Sequence, residues 1–222
     1  MNLLKKGMLF LFAVTLFVAC SDDDEVVTPV TPEEPVSAHP LAGTSWSISA
    51  EVGALVVAET RAQAEGDMSG ATAGGNENPH GAWWYFSQWG DDAAARACLL
   101  DDTYEFNADN TFVQTMGAET WTESWQPGQD GEGCTAPIAP HDGSVAATWS
   151  ADTSTITIVG DSAGAFLGLA KVTNTAEDGN PASGTTTYDY VLSDDGNHLT
   201  LVIQGFQGND SDATWVFRMT KN

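Results

Sequence analysis

From Leu41 onward, apolar and polar positions alternate in short runs broken by turn-forming residues. Trp46-Ser47-Ile48-Ser49 alternates, and Ala54-Leu55-Val56-Val57 follows. Thr103-Tyr104-Glu105-Phe106 leads through Asn107-Ala108-Asp109-Asn110 into Thr111-Phe112-Val113-Gln114-Thr115-Met116. Alternation of this kind places successive side chains on opposite faces of a strand. Asn and Asp tolerate left-handed backbone, so the intervening segment predicts a hairpin. The device recurs at Ala147–Val159 around Ala151-Asp152-Thr153-Ser154, and at Thr187–Ile203 around Ser193-Asp194-Asp195-Gly196-Asn197. A last run, Thr214–Met219, closes the chain. About eight to ten strands are predicted, with no long amphipathic helix. The expected class is all-β: an antiparallel meander forming an up-and-down barrel or a flattened sandwich.

Two stretches interrupt the meander. Glu59–Gly81 is rich in Ala, Gly and Asn and has no period, so it predicts a mobile loop. Gln126–Ser144 is rich in Gly and Pro and is also expected to be loop.

The chain begins differently. Lys5 and Lys6 precede an apolar run from Met8 to Val18, interrupted only by Thr15. That run is too short to span a bilayer and reads as a secretory signal. It ends in Phe17-Val18-Ala19-Cys20, which resembles the lipobox of bacterial lipoproteins. The resemblance implies cleavage after residue 19 and acylation of Cys20, and several chains on one residue would anchor firmly. Ser21 followed by Asp22-Asp23-Asp24-Glu25 looks like the signature of an outer-membrane lipoprotein exported to the cell surface. A solvated charge run explains the same acids. Val26–Pro40 carries four prolines and reads as an extended tether of ~3.1 Å per residue. The expected organisation is therefore signal peptide 1–19, lipidated and tethering segment 20–40, and one β domain over 41–222.

Charge narrows the function. Seven basic residues face 31 acidic ones, for a net charge of -24. Such a chain is unsuited to nucleic acid, whose phosphates are met by Lys and Arg, and to docking on anionic lipid through basic residues. Apolar residues make up 42% and include eight Trp, enough to fill a core. With Cys20 acylated, Cys98 and Cys134 remain. In an oxidising compartment they are expected to pair, closing a loop of about 36 residues. They lack the close Cys or His partners of a zinc site.

Aromatic residues cluster in two places. Trp83-Trp84-Tyr85-Phe86-Ser87-Gln88-Trp89 holds five rings in seven residues, with Asp91, Asp92, Asp101 and Asp102 near in sequence. As a strand it would set Trp83, Tyr85 and Ser87 on one face and Trp84, Phe86 and Gln88 on the other. Glu119-Thr120-Trp121-Thr122-Glu123-Ser124-Trp125, read as a strand, lines up Glu119, Trp121, Glu123 and Trp125. Indole faces stack on the C–H surface of sugars while carboxylates and amides take the hydroxyls. Trp83, Trp84, Tyr85, Trp89, Glu119, Trp121, Glu123 and Trp125 are therefore the candidate ligand-binding residues. Filling of a barrel interior by large rings explains the same clusters. The Glu119 row resembles the Glu-x-Asp-x-Glu row of laminarinase-type glycoside hydrolases, but Trp121 stands where the middle acid belongs. Catalysis by Glu119 and Glu123 is thus a minor alternative.

Leu41-Ala42-Gly43-Thr44-Ser45-Trp46, the Tyr104–Phe112 hairpin and a terminal strand ending in Lys221 look like the lipocalin-like bacterial lipoproteins. Four further strings strengthen the likeness: Cys98–Tyr104, Glu119-Thr120-Trp121, Cys134–Ser144 and Gly164–Val172. They resemble an accessory domain of surface lipoproteins and polysaccharide-degrading enzymes of marine bacteria. That resemblance implies a glycan-facing, non-catalytic role. His141, Asp142 and Ser144 contain the residue types of a nucleophilic triad, but no Gly-x-Ser-x-Gly elbow exists, and a capped turn explains the string. Asp194-Asp195-Gly196-Asn197 offers oxygen ligands for Ca²⁺ without the Asp-x-Asp-x-Asp-Gly pattern, so no cofactor is expected. The expected function is binding of a neutral poly- or oligosaccharide at the cell surface, anionic glycans being disfavoured by charge. The alternatives are a lipocalin-like carrier of a small apolar ligand and a structural partner of an outer-membrane uptake complex.

Overall fold

A computed structural model describes residues 38–75, 79–88, 92–161, 164–168, 184–208 and 211–222. They all belong to the unit Ala38–Asn222. Cys20, the tether up to Ser37 and Trp89 lie outside the described residues.

In chain order the elements are β1 (Thr44–Ile48), β2 (Leu55–Ala58), α1 (Arg61–Ala64), β3 (Trp84–Tyr85) and α2 (Asp92–Ala95). Next come β4 (Thr103–Phe106), β5 (Thr111–Thr115), β6 (Thr120–Thr122), β7 (Gly133–Thr135), β8 (Ala147–Ala151) and β9 (Thr155–Gly160). The chain ends with β10 (Thr185–Leu192), β11 (His198–Gly208) and β12 (Ser211–Lys221). Strands β1, β4, β5, β8, β9, β10, β11 and β12 pair antiparallel in that order, and β12 returns to β1 through Ile48 and Met219. The result is a closed eight-stranded up-and-down barrel, which leaves no free edge in the ring. The expected all-β meander is what forms, as a barrel and not a sandwich. On the side away from β11, strand β12 serves two neighbours: its last residues pair with β1, while Thr214–Phe217 pair with β2, and β3 extends the sheet beyond β2.

Alternation in the sequence becomes inside and outside. Trp46, Ile48, Tyr104, Phe106, Phe112, Trp149, Ile156, Ile158, Tyr188, Leu199, Leu201, Phe217 and Met219 form one buried cluster. Burying each such side chain contributes roughly 1.5–3 kcal/mol. The outward positions of β5, β8 and β9 are mostly Thr and Ser, with Val113 and Val159 between them.

Because adjacent strands run oppositely, the connections divide between two rims. The base carries the three tight turns that the sequence predicted. Asp109 Oδ1 accepts the Thr111 N–H at 3.0 Å, and Asn110 sits at φ 66°. Asp152 Oδ1 accepts the N–H groups of Ser154 and Thr155, each at 2.7 Å. Asp195 Oδ1 accepts the Asn197 N–H at 3.0 Å. The Ser193 hydroxyl also donates to Asp195 Oδ1, the largest influence on that group, and together these bonds favour the ionised carboxylates and draw the Asp152 and Asp195 pKa values down to about 2. Chain entry is at the same rim: Leu41 is buried, and His39 lies edge-on to Trp149 and bonds the Tyr190 hydroxyl at 3.1 Å.

The opposite rim, the mouth, carries the long connections β1–β4, β5–β8 and β9–β10 together with the far end of the β11–β12 pair. Two of them are more ordered than the expected loops. Thr60 and Gln63 cap α1 reciprocally, in the box that sets a helix N-terminus, and Ala64 and Met68 are buried beneath it, so Glu59–Gly81 is not a structureless loop. Within Gln126–Ser144, β7 pairs with β6. Third, the β9–β10 connection sends Gly164–Gly168 into the barrel, where all five residues are buried. Inward-facing polar groups receive it. The Gln114 amide donates to Gly164 O at 2.9 Å and accepts Phe166 N–H at 3.0 Å, while the Tyr188 hydroxyl accepts Leu167 N–H at 2.9 Å. Tyr104 donates to Gly168 O at 3.3 Å. Burial raises the pKa of both tyrosines, so they stay neutral donors and acceptors.

Candidate functional site

The site forms where two mouth insertions meet the upper end of β12. In the sheet β12–β2–β3, Trp215 pairs with Val57 and Val57 with Trp84, giving one row on one face. One residue along, Val216, Val56 and Tyr85 form the matching row on the other face, which Ala64 and Met68 cover. Period-two alternation therefore separates neighbours: Trp84 faces the pocket, and Tyr85 is fully buried with its hydroxyl donating to Thr72 O at 3.2 Å. The expected long aromatic strand stops there. Ser87 adopts φ 74° and Phe86 turns into the main core.

The second wall is the hairpin β6–β7. Buried Asp102 anchors its start, accepting Gly117 N–H at 2.9 Å and the Thr120 hydroxyl at 2.6 Å. That fixes Asp102 as a structural tie, not a sugar ligand beside the tryptophans. All of Thr120–Thr122 is buried. The strand predicted over Glu119–Trp125 then breaks, because Gln126 closes a turn on Glu123: its backbone N–H donates to Glu123 O at 3.0 Å and its side chain accepts Glu123 N–H at 2.9 Å. The expected four-residue row is thus split. Trp121 and Glu123 enter the pocket, Glu119 lies in a separate depression beside Cys98 and Cys134, and Trp125 packs on Ala213 and edge-on to His141 at 5.6 Å. Glu119 and Glu123, the minor catalytic pair, do not share a pocket.

Cys98 and Cys134 form the expected disulfide, with Cα atoms 5.8 Å apart. It ties the segment after α2 to β7. Two residues before Cys98, Arg96 lays its guanidinium 3.8 Å from the Trp121 ring centre and 4.9 Å from that of Trp84. Such a cation over an indole face is attracted by the ring quadrupole.

The pocket so built has a volume of about 330 Å³. That is near the lower end of the small-ligand range. Its walls are Val57, Trp83, Trp84, Trp121 and Trp215, with Glu123, Glu132 and Arg96 supplying charge. Trp83 is the most open of the four indoles, 44% exposed, whereas Trp121 is 7% exposed. Of the sequence candidates, Trp83, Trp84, Trp121 and Glu123 converge here, and Tyr85, Glu119 and Trp125 do not. Trp89 lies outside the described residues.

Besides Val57, three lining residues were missed by sequence reasoning. Trp215 sits in an alternating strand and reads as ordinary core; its common row with Trp84 comes from β2, which pairs with both β12 and β3. Arg96 carried a weak signal, as one of seven cations, between the tryptophan cluster and Cys98. Glu132 stands in a glycine-rich loop with no period to flag it.

His141 is buried between Trp125 and Phe166, and Asp142 accepts the Ser144 N–H and hydroxyl in a local turn. The capped-turn reading accounts for that string. Among the described residues, no group of three His, Cys, Asp or Glu side chains is arranged to hold a metal ion. Compared with known proteins, the sequence matches no protein-family model and no curated protein.

Proposed function

We propose that this protein is a non-catalytic, surface-anchored glycan-binding module whose ligand sits in the mouth pocket. One observation carries the reading. Indoles from three separate stretches, 83–84, 121 and 215, converge on one concavity with two carboxylates at its wall. Large flat apolar faces beside hydrogen-bond acceptors suit a pyranose, whose ring faces are C–H and whose edges are hydroxyl.

The sequence supplies the anchor: acylated Cys20 and a proline-rich tether on the outer membrane. The barrel's polarity supports the same picture, since the chain enters at the base and the pocket lies at the mouth. An eight-stranded barrel is also compatible with a lipocalin-like carrier. Phe166 and Leu167 occupy the interior beside Tyr104 and Tyr188, so the rim pocket is the better-supported binding place.

Titration with neutral oligosaccharides, followed by indole fluorescence and calorimetry, tests the proposal. Trp83→Ala and Trp215→Ala are expected to weaken binding roughly ten-fold each, the loss of one stacking face. Undiminished affinity in both variants, or no glycan binding by the intact protein, would discard it.

A further inference from the structure

We infer that the mouth binds an extended oligosaccharide across two subsites, the tryptophan pocket and a second depression beside the disulfide, an inference that rests on the glycan-binding reading above. The depression has a volume of about 740 Å³, more than twice the 330 Å³ of the pocket. Exposed Ala94, Ala95, Ala97 and Ala118 line it, together with the carboxylates of Asp101 and Glu119. A pocket near the lower limit for a small ligand takes only the inner units of a sugar chain, and the outer units need a concavity alongside.

The two concavities share a wall. In the segment before Cys98, Arg96 lines the pocket, while Ala95 and Ala97 on either side of it line the depression. Along the hairpin, Trp121 and Glu123 belong to the pocket, and Ala118 and Glu119 to the depression. Trp121 stands opposite Cys134, and the bond from Cys134 to Cys98 holds the dividing segment against β7. That divide is low, because its outward residues are alanines that add one methyl group each. From Glu119 to Glu123 an extended chain advances ~3.3 Å per residue, on the order of 13 Å in all, which exceeds the length of a single pyranose. Asp101 and Glu119 then accept hydroxyls of the outer units while the indoles stack on the inner ones.

The test is calorimetry on the full chain with disaccharides and hexasaccharides of β-1,4-, β-1,3- and α-1,4-linked glucose. In the series that binds, the hexasaccharide is expected to bind about ten-fold tighter than the disaccharide. Ala94→Leu/Ala118→Leu fills the depression with side chains that offer no flat face to a sugar, and both positions are exposed, so the fold should tolerate it. This variant is expected to bring the hexasaccharide within about two-fold of the disaccharide and to leave the disaccharide unaltered. Glu119→Ala is expected to weaken the hexasaccharide alone, by about three- to ten-fold, the loss of one acceptor. Trp83→Ala should weaken both lengths. Circular dichroism on each variant verifies that the barrel is intact.

Equal affinity for the two lengths overturns the second subsite and leaves the pocket reading standing. A length advantage that survives both Ala94→Leu/Ala118→Leu and Glu119→Ala overturns the assignment to this depression. Absence of binding to every probe removes the glycan reading beneath it as well.

Discussion

Cys134 stands directly opposite Trp121 in the β6–β7 ladder, so the disulfide from Cys98 ends beside the indole that Arg96 covers. One covalent link thereby joins the two insertions that face each other across the pocket. The barrel strands do not depend on it. Cys98→Ser/Cys134→Ser is expected to keep the far-UV circular dichroism of the barrel and to lose up to about 3–4 kcal/mol of stability, the chain-entropy value for a loop of 36 residues. Affinity for the glycan ligand we propose should fall as well. Denaturant titration and calorimetry on the same sample separate the two effects.

Gln114 is the hinge pin of the interior segment, bonding both Gly164 O and Phe166 N–H from a buried position. Gln114→Ala leaves two buried backbone groups without that partner. A loss of about 2–6 kcal/mol is expected, at about 1–3 kcal/mol for each group that loses its bond to Gln114. Thermal unfolding of the variant measures it; a change within about 0.5 kcal/mol would show that the segment is held by packing alone.

Gly168 lies at φ +65°, and a Cβ there would come 2.5 Å from Phe217 Cδ1. Both the backbone conformation and the space require glycine. Gly168→Ala is expected to destabilise the protein by more than about 1 kcal/mol, whereas Gly70→Ala, where a Cβ meets nothing within 4 Å, should be nearly neutral. Paired melting curves give the contrast.

Asp152 and Asp195 have folded pKa values drawn down to about 2 by the bonds they accept in their turns. A depressed carboxylate pKa stabilises the fold above the unfolded value near 4 and loses that contribution as pH falls toward 2. Stability should therefore decline between about pH 4 and pH 2. Asp152→Asn/Asp195→Asn, whose neutral amides accept more weakly than the ionised carboxylates, is expected to flatten that decline by lowering stability at neutral pH toward the acid value. Melting temperatures across the acid range decide the matter.

Trp83 and Trp121 belong to one pocket but differ in burial. Trp121→Ala empties a packed site and is expected to cost about 3–5 kcal/mol, the usual range for buried Trp. Trp83→Ala removes an exposed ring and should stay within about 0.5 kcal/mol. Chemical denaturation of both variants distinguishes a structural indole from one free to meet a ligand.

Much of the barrel was legible because its signals are local. A hairpin needs alternation and a turn residue, and Asn110, Asp152 and Gly196 stand where the turns require them. The disulfide followed from cysteine parity. What the sequence hid is set by distance. Trp215 reaches Trp84 only because β2, outside the ring, pairs with β12 on one side and β3 on the other, a long-range register that no local window contains. Tyr85 looked like Trp84 in composition, yet one step along a strand reverses the face, and the cover supplied by Met68 decided which face was dry. The row from Glu119 to Trp125 failed because Gln126 caps Glu123 with its side chain, a competition between side-chain and ladder bonding that alternation cannot register.

Asn222 bonds Ser45 beside the point where Leu41 enters the barrel, so both ends of the described unit emerge from the base. A reporter fused after Asn222, or a bead coupled there, would hang from the rim opposite the pocket tryptophans Trp83, Trp84, Trp121 and Trp215. Immobilised in that orientation, the molecule would offer its aromatic rim to solution unobstructed, as a cup held by its foot.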